Sequence, residues 1–220
     1  MKSLRLAGIG AVAALALTAC GSSTDNNASS SSSSAMPSSM PSSAPMSSSS
    51  SGVTTNDQVF GPACSQLPQG SAPGSLDSMG PQPVASAAST NPLLTKLVAA
   101  VKATNLVDTL NSQQAITVFA PADPAFNALG DAKFKELAAN PNQLAPILQY
   151  HVVGKRYDAK GLEQAGTLTS LNAGGGPLKI EGSGDNLTVN GAKILCGNIP
   201  TKNATVFVID KVLTPGTNKN

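Results

Sequence analysis

Residues 117–126 read TVFAPADPAF, and the order of those residue types predicts a strand, a corner and a helix. Thr117, Val118 and Phe119 suit the end of a buried strand. Ala120-Pro121 stops it, because proline donates no ladder hydrogen bond and fixes its own φ. Asp123-Pro124 then reads as an N-cap followed by proline at the first helical position. Phe126 and Leu129, three apart, turn the apolar face of that helix toward the core. Phe119, Pro121, Asp123 and Phe126 are therefore fold-defining, and the stretch holds no catalytic group.

The flanking sequence extends the pattern. On the N-terminal side, 61–84 is rich in Pro, Gly and Ser and reads as irregular. Asn91-Pro92 opens a helix with Leu93, Leu94, Leu97, Val98 and Val101 on one face, and 106–111 reads as a second helix. On the C-terminal side, 131–139 is helical, and Asn140-Pro141 opens a further helix carrying Leu144, Ile147 and Leu148. Residues 150–153, Tyr-His-Val-Val, read as a strand and 158–164 as a short helix. From Thr167 strands and turns take over: Leu178/Ile180 and Leu187/Val189 alternate, and Asn190-Gly191 signals a type I′ hairpin. The run 205–210 ends at Asp210, read as a structural cap or salt-bridge partner. Helices first and hairpins last describe an α+β domain with an antiparallel sheet layer.

The first 60 residues cannot contribute to a core. Residues 1–19 form a leader, with Lys2 and Arg5 before an apolar run from Leu6 to Leu17 that is short for a transmembrane span. It ends Leu17-Thr18-Ala19-Cys20, which resembles the bacterial lipobox. That resemblance implies cleavage before Cys20, a diacylglycerol thioether on its sulfur and acylation of the new N-terminus; the alternative is a secreted protein with an incidental cysteine. Residues 20–60 read as a disordered tether. From 22 to 51, 17 of 30 residues are Ser, too few of them apolar to offset chain entropy. As a flexible chain it reaches roughly 35 Å. Thr54 and Thr55 close the tract as candidate O-glycosylation acceptors. The folded domain is then 61–217.

The net charge of +2 comes from 14 basic and 12 acidic residues, and the two leader cations account for the excess. No basic patch argues for nucleic acid. With Cys20 lipidated, Cys64 and Cys196 form a pair in an oxidising compartment, read as a disulfide with two buried free thiols as the alternative. The single histidine, His151, and the lack of GxSxG, HExxH or Walker patterns argue against an enzyme and against any metal or cofactor. Gly174-Gly175-Gly176 before Pro177 reads as a flexible loop.

Three pieces in order, TVFAPADPAF at 117–126, Tyr150-His151, and NATVFVIDKVLTP at 203–215, resemble the fasciclin-like domain family. With the lipobox, tether and cysteine pair, the chain is most similar to the fasciclin-domain surface lipoprotein antigens of mycobacteria and related actinobacteria. Ala204 and Phe207 depart from the common third box, while Val206, Val208 and Ile209 keep its strand-forming character. The resemblance implies a single wedge of antiparallel β-sheet layers wrapped by short helices. It also implies a lipid-anchored surface protein that adheres to protein or glycan partners of the host or matrix and whose lipid host innate receptors sense; a monomer is expected. Tyr150 and His151 are packing residues on their own reading, and candidate partner contacts on the resemblance. Carriage of an apolar ligand or lipid in a groove is the alternative function.

Overall fold

The computed structural model describes residues 52–216; the leader, Cys20 and the Ser-rich tract to residue 51 lie outside the described residues. In chain order the helices are α1 (Leu76–Met79), α2 (Val84–Thr90), α3 (Thr95–Ala103), α4 (Val107–Ser112), α5 (Asp123–Leu129), α6 (Asp131–Ala139), α7 (Pro141–Tyr150) and α8 (Ala159–Ala165). The strands are β1 (Ile116–Pro121), β2 (Val152–Val153), β3 (Thr167–Leu168), β4 (Leu178–Glu181), β5 (Thr188–Val189), β6 (Ala192–Pro200) and β7 (Ala204–Ile209). The α+β class read from the sequence is what the chain adopts.

The strands form one sheet in the order β2-β1-β7-β6-β5-β4-β3. Its centre corrects the expectation of a purely antiparallel layer. β1 and β7 pair in parallel, from Ile116 opposite Ala204 to Pro121 opposite Ile209. The intervening chain is long enough to supply the crossover that parallel pairing needs. Every residue of both strands is buried, as expected for parallel strands covered on both faces. Pro121 closes the ladder from within the strand, and the next N–H, that of Ala122, bonds to Ile209 O at 3.0 Å.

Side-chain alternation divides the interior in two. Ile116, Val118 and Ala120 join Ala204, Val206 and Val208 in a core with Leu97, Val101, Leu144 and Leu148 of the helices. Phe119, Phe207 and Ile209 enter a second core with Leu162 of α8 and Leu178, Ile180, Leu187 and Val189 from around β4 and β5. The Phe119 and Phe207 rings, on one rung, lie 5.8 Å apart. The outer strands therefore curl back over the central pair. Register shifts in β6 on either side of Cys196 mark where its ladder breaks, and Asn198 there has φ 59°.

Several local readings change. Asn91-Pro92 forms a turn, in which Asn91 Oδ1 accepts from Leu93 N at 2.9 Å, and the helix begins only at Thr95. Tyr150 ends α7, and only Val152–Val153 is strand, because the apolar spacing of Leu144 and Leu148 carries the helix on to Tyr150. A helix at Val84–Thr90 was not signalled; its side chains are small and its start is held from outside. The Gly174–Gly176 run is not loose: Gly175 is buried against Tyr150, and a Cβ there would come within 2.5 Å of the ring. Residues 52–60 are not tether. Gly52 O accepts from Thr205 Oγ1 at 2.7 Å, and Phe60 bridges Gly197, so the ordered chain begins before residue 61.

Candidate functional site

The opening corner is built around Asp123, which does not cap its own helix as expected. Ala122 occupies the cap of α5 with no side-chain bond. The Asp123 carboxylate instead reaches α3, accepting from Lys96 N at 2.9 Å and from Thr95 Oγ1 at 2.5 Å. Its own N–H donates to Leu93 O at 2.9 Å. Phe126 is buried one turn on, edge to face with Phe134 at 5.0 Å. Asp210, expected as a cap or ion-pair partner, exchanges main-chain bonds with the hairpin: Oδ1 accepts from Lys193 N at 2.8 Å, and Asp210 N donates to Lys193 O.

Tyr150 belongs to the second core and His151 borders the space beside the first, and neither can touch a partner. Tyr150 is 0% exposed and His151 2%, which corrects their reading as contact residues. Tyr150 OH donates to Pro177 O at 3.2 Å and accepts from Asn190 Nδ2 at 3.0 Å, tying the end of α7 to the Asn190-Gly191 turn. His151 Nδ1–H donates to Ile147 O at 2.8 Å, and its Nε2 accepts from Leu213 N at 2.9 Å. Only the neutral Nδ1–H tautomer satisfies both bonds. Burial pushes the imidazole down to about 4, against a smaller opposing effect of the Ile147 carbonyl. His151 thus pins the C-terminal segment to α7 and offers no free nitrogen for a metal or a nucleophile.

Cys64 and Cys196 are joined in a disulfide with Cα atoms 5.0 Å apart, bridging 132 residues of sequence. Of the two threonines proposed as sugar acceptors, Thr55 is exposed and Thr54 is only 4% exposed. Thr54 Oγ1 is buried without a hydrogen-bond partner, so a glycan on it does not fit the folded chain. Cys20 lies outside the described residues.

Two further residues organise the molecule and were not singled out from the sequence. Asn203, buried at the entrance to β7, accepts from Val84 N at 2.9 Å and donates to Leu110 O and Gln113 O, each at 2.8 Å. It joins the start of α2 and the end of α4 to the central sheet. Its place at the head of the third motif was the available signal. Arg156 is 9% exposed; its Nε donates to Gly52 O and Thr205 Oγ1, and its Nη2 to Thr201 O and Ala204 O, at 2.8–3.2 Å. Nothing in its local sequence marks it as buried.

Between α2, α3, α4 and the sheet lies an apolar cavity of about 150 Å³, lined chiefly by Ala88, Leu97, Val101, Leu110, Val118 and Leu148. Ser86, Ser89 and Lys102 also border it. A second hollow of about 170 Å³ shares Leu110, Leu148 and Val152 with the first and is bordered by the exposed Leu171. Such walls hold water poorly and suit a small apolar group. Among the described residues no cluster of three or more His, Cys, Asp or Glu side chains could hold a metal ion.

Compared with known proteins, residues 92–215 match the fasciclin domain family. The chain is 41% identical over 164 residues to the immunogenic protein MPB70 of Mycobacterium bovis, covering 71% of this chain and 82% of that one. It is 40% identical over 166 residues to the cell surface glycolipoprotein MPB83 of the same species, covering 71% and 72%. A solved FAS1 domain pair from the insect cell adhesion molecule fasciclin I aligns at 19% identity and a TM-score of 0.46, over 57% of this chain and 46% of that one. The match across the corner, the Tyr-His clasp and the last strand, together with identity to mycobacterial relatives along most of their length, makes this chain a member of the fasciclin domain family.

Proposed function

We propose that this chain is a lipid-anchored protein on the extracytoplasmic face of a bacterial cell membrane, and that its fasciclin domain binds protein or glycan partners at the cell surface or on host cells without catalysing a reaction. The observation that carries the reading is the 40% identity to a protein named a cell surface glycolipoprotein, over 72% of its length. The lipobox-like ending at Cys20 supports the anchor, since two or more acyl chains suffice for stable attachment. The same lipid is the group that host innate receptors would sense. The test compares the full chain with its Cys20→Ser variant. The wild type is expected in the membrane fraction and the variant in the medium, with host-cell binding kept by both and receptor signalling lost by the variant. Membrane retention of the variant overturns the anchor, and failure of both forms to bind cells overturns adhesion.

The apolar cavity of about 150 Å³ favours a second reading, carriage of a small apolar group. An environment-sensitive apolar dye is expected to bind the full chain and to be excluded by Ala88→Leu. Equal dye binding by the two proteins argues against the cavity as its site.

A further inference from the structure

Arg156 is a buried cation without an acid. Its guanidinium is held by four oxygens, all neutral. Among the described residues the ion pair formed is Lys96–Asp131, elsewhere on the surface. A charge taken out of water costs several kcal/mol unless something compensates it, and carbonyl dipoles do so only in part. The bonds to Nε and Nη2 leave Nη1 without a partner among the described residues, on a group whose plane is already fixed.

Arg156 lines an open concavity of about 570 Å³ of mixed polar and apolar lining, together with Val53, Thr55, Asn56, Pro200, Thr201 and Lys202. That volume falls within the roughly 300–1,000 Å³ of small-molecule sites. Lys202 is exposed there, its backbone N–H bonded to Gln82 O, and its ammonium is free of ion pairs among the described residues. Asp57 is the one acid in the lining, and it pairs with neither cation. The concavity therefore presents two uncompensated positive groups against one negative, beside a buried hydroxyl, Thr54 Oγ1, that also lacks a partner.

We infer that this concavity binds an oxyanion, phosphate or carboxylate, carried on a polar molecule of about sugar size. Arg156 Nη1 donates from the wall and Lys202 Nζ from the rim. The free Nη1 of a guanidinium whose other nitrogens are held suits both anions, because a charge-assisted N–H donor bonds phosphate and carboxylate oxygens alike. Holding Gly52, Thr201 and Ala204 with the rest of the fork means that the donor is ordered before the ligand arrives, which lowers the entropy cost of binding. The site is independent of the anchor and of the apolar cavity.

The test is titration of the ¹⁵N-labelled full chain at low salt with inorganic phosphate, glucuronate and, as a neutral control, glucose. The readouts are the Arg156 Nε–H resonance and the amides of Thr54, Asn56, Thr201 and Lys202. Saturable shifts confined to these groups are expected with phosphate, glucuronate or both, and none with glucose; the pattern separates a phosphate ligand from a carboxylate ligand. Lys202→Ala is expected to weaken binding by about threefold, as for one solvent-exposed charge, and Lys102→Ala to leave it unchanged. Arg156→Lys, which keeps the charge and loses the fixed Nη1 donor, is expected to weaken it by about tenfold or more. If that variant is misfolded, Lys202→Ala decides alone. No saturable shift with either anion, or equal affinity in Lys202→Ala, overturns the site.

Discussion

The carboxylate of Asp123, the first residue of α5, accepts a hydrogen bond from the backbone N–H of Lys96 at 2.9 Å and so caps α3. The residue before α3 is Leu94, which has no side-chain acceptor to offer its own helix. The TVFAPADPAF corner thus completes a neighbouring helix as well as starting one, and it locks the exit of β1 to the first helical layer.

Replacing Asp123 with Ala is expected to lower stability by about 1–2 kcal/mol, the usual cost of a lost N-cap. Asp123→Asn keeps an acceptor for Lys96 N and should lose less than half as much. Urea unfolding of the three proteins measures both. Equal losses for Ala and Asn would show that the negative charge, and not the cap bond, matters.

His151 makes stability depend on pH in a defined window. Its folded pKa, about 4, lies below the ordinary 6.5, so the unfolded chain binds the proton more tightly. Stability is therefore full above about pH 6.5 and falls as pH drops toward 4, by about 2 kcal/mol between pH 7 and pH 5. As the chain has a single histidine, His151→Gln should flatten the upper part of this profile while lowering overall stability. Unfolding midpoints at several pH values test the slope separately from the offset.

Breaking the Cys64–Cys196 bridge with a double Ala substitution is expected to cost about 4–5 kcal/mol, because the closed loop spans 132 residues and its closure entropy is correspondingly large. Thermal unfolding with and without reductant should show the wild type falling to the variant's level and the variant unmoved.

Asn203→Leu removes one acceptor and two donor bonds at a buried position and leaves Val84 N, Leu110 O and Gln113 O without partners. A loss of about 2–3 kcal/mol is expected. Amide exchange should rise first in α2 and α4, which meet the sheet through this side chain. Uniform exchange across the domain would show that Asn203 does not hold these helices in particular.

Local chemistry made much of the fold readable. The Pro141 start of α7, the Asn190-Gly191 turn with φ 49° and 72°, and the Asp158-capped α8, where Oδ1 accepts from Gly161 N at 2.8 Å, all follow from residues acting within a few positions. The readings that changed depend on distant partners. Asp123 reads as a local cap until α3 is seen beside it. Tyr150 reads as the start of a strand until the face of α7 carries it into the helix. Val84–Thr90 has small side chains and little pattern of its own, and its start is set by Asn203, far along the chain.

By itself the sequence determined the class of the fold, its identifying corner, the lipobox-like leader and the partner of each domain cysteine, because these rest on short-range rules or on the compartment. The tertiary structure alone decided that β1 and β7 run parallel, that the partner-contact candidates are sealed inside, and that Arg156 lies buried without an acid beside an open hollow. Such facts arise from which distant groups meet in space and how much water they exclude, and neither quantity is written in the order of neighbouring residues.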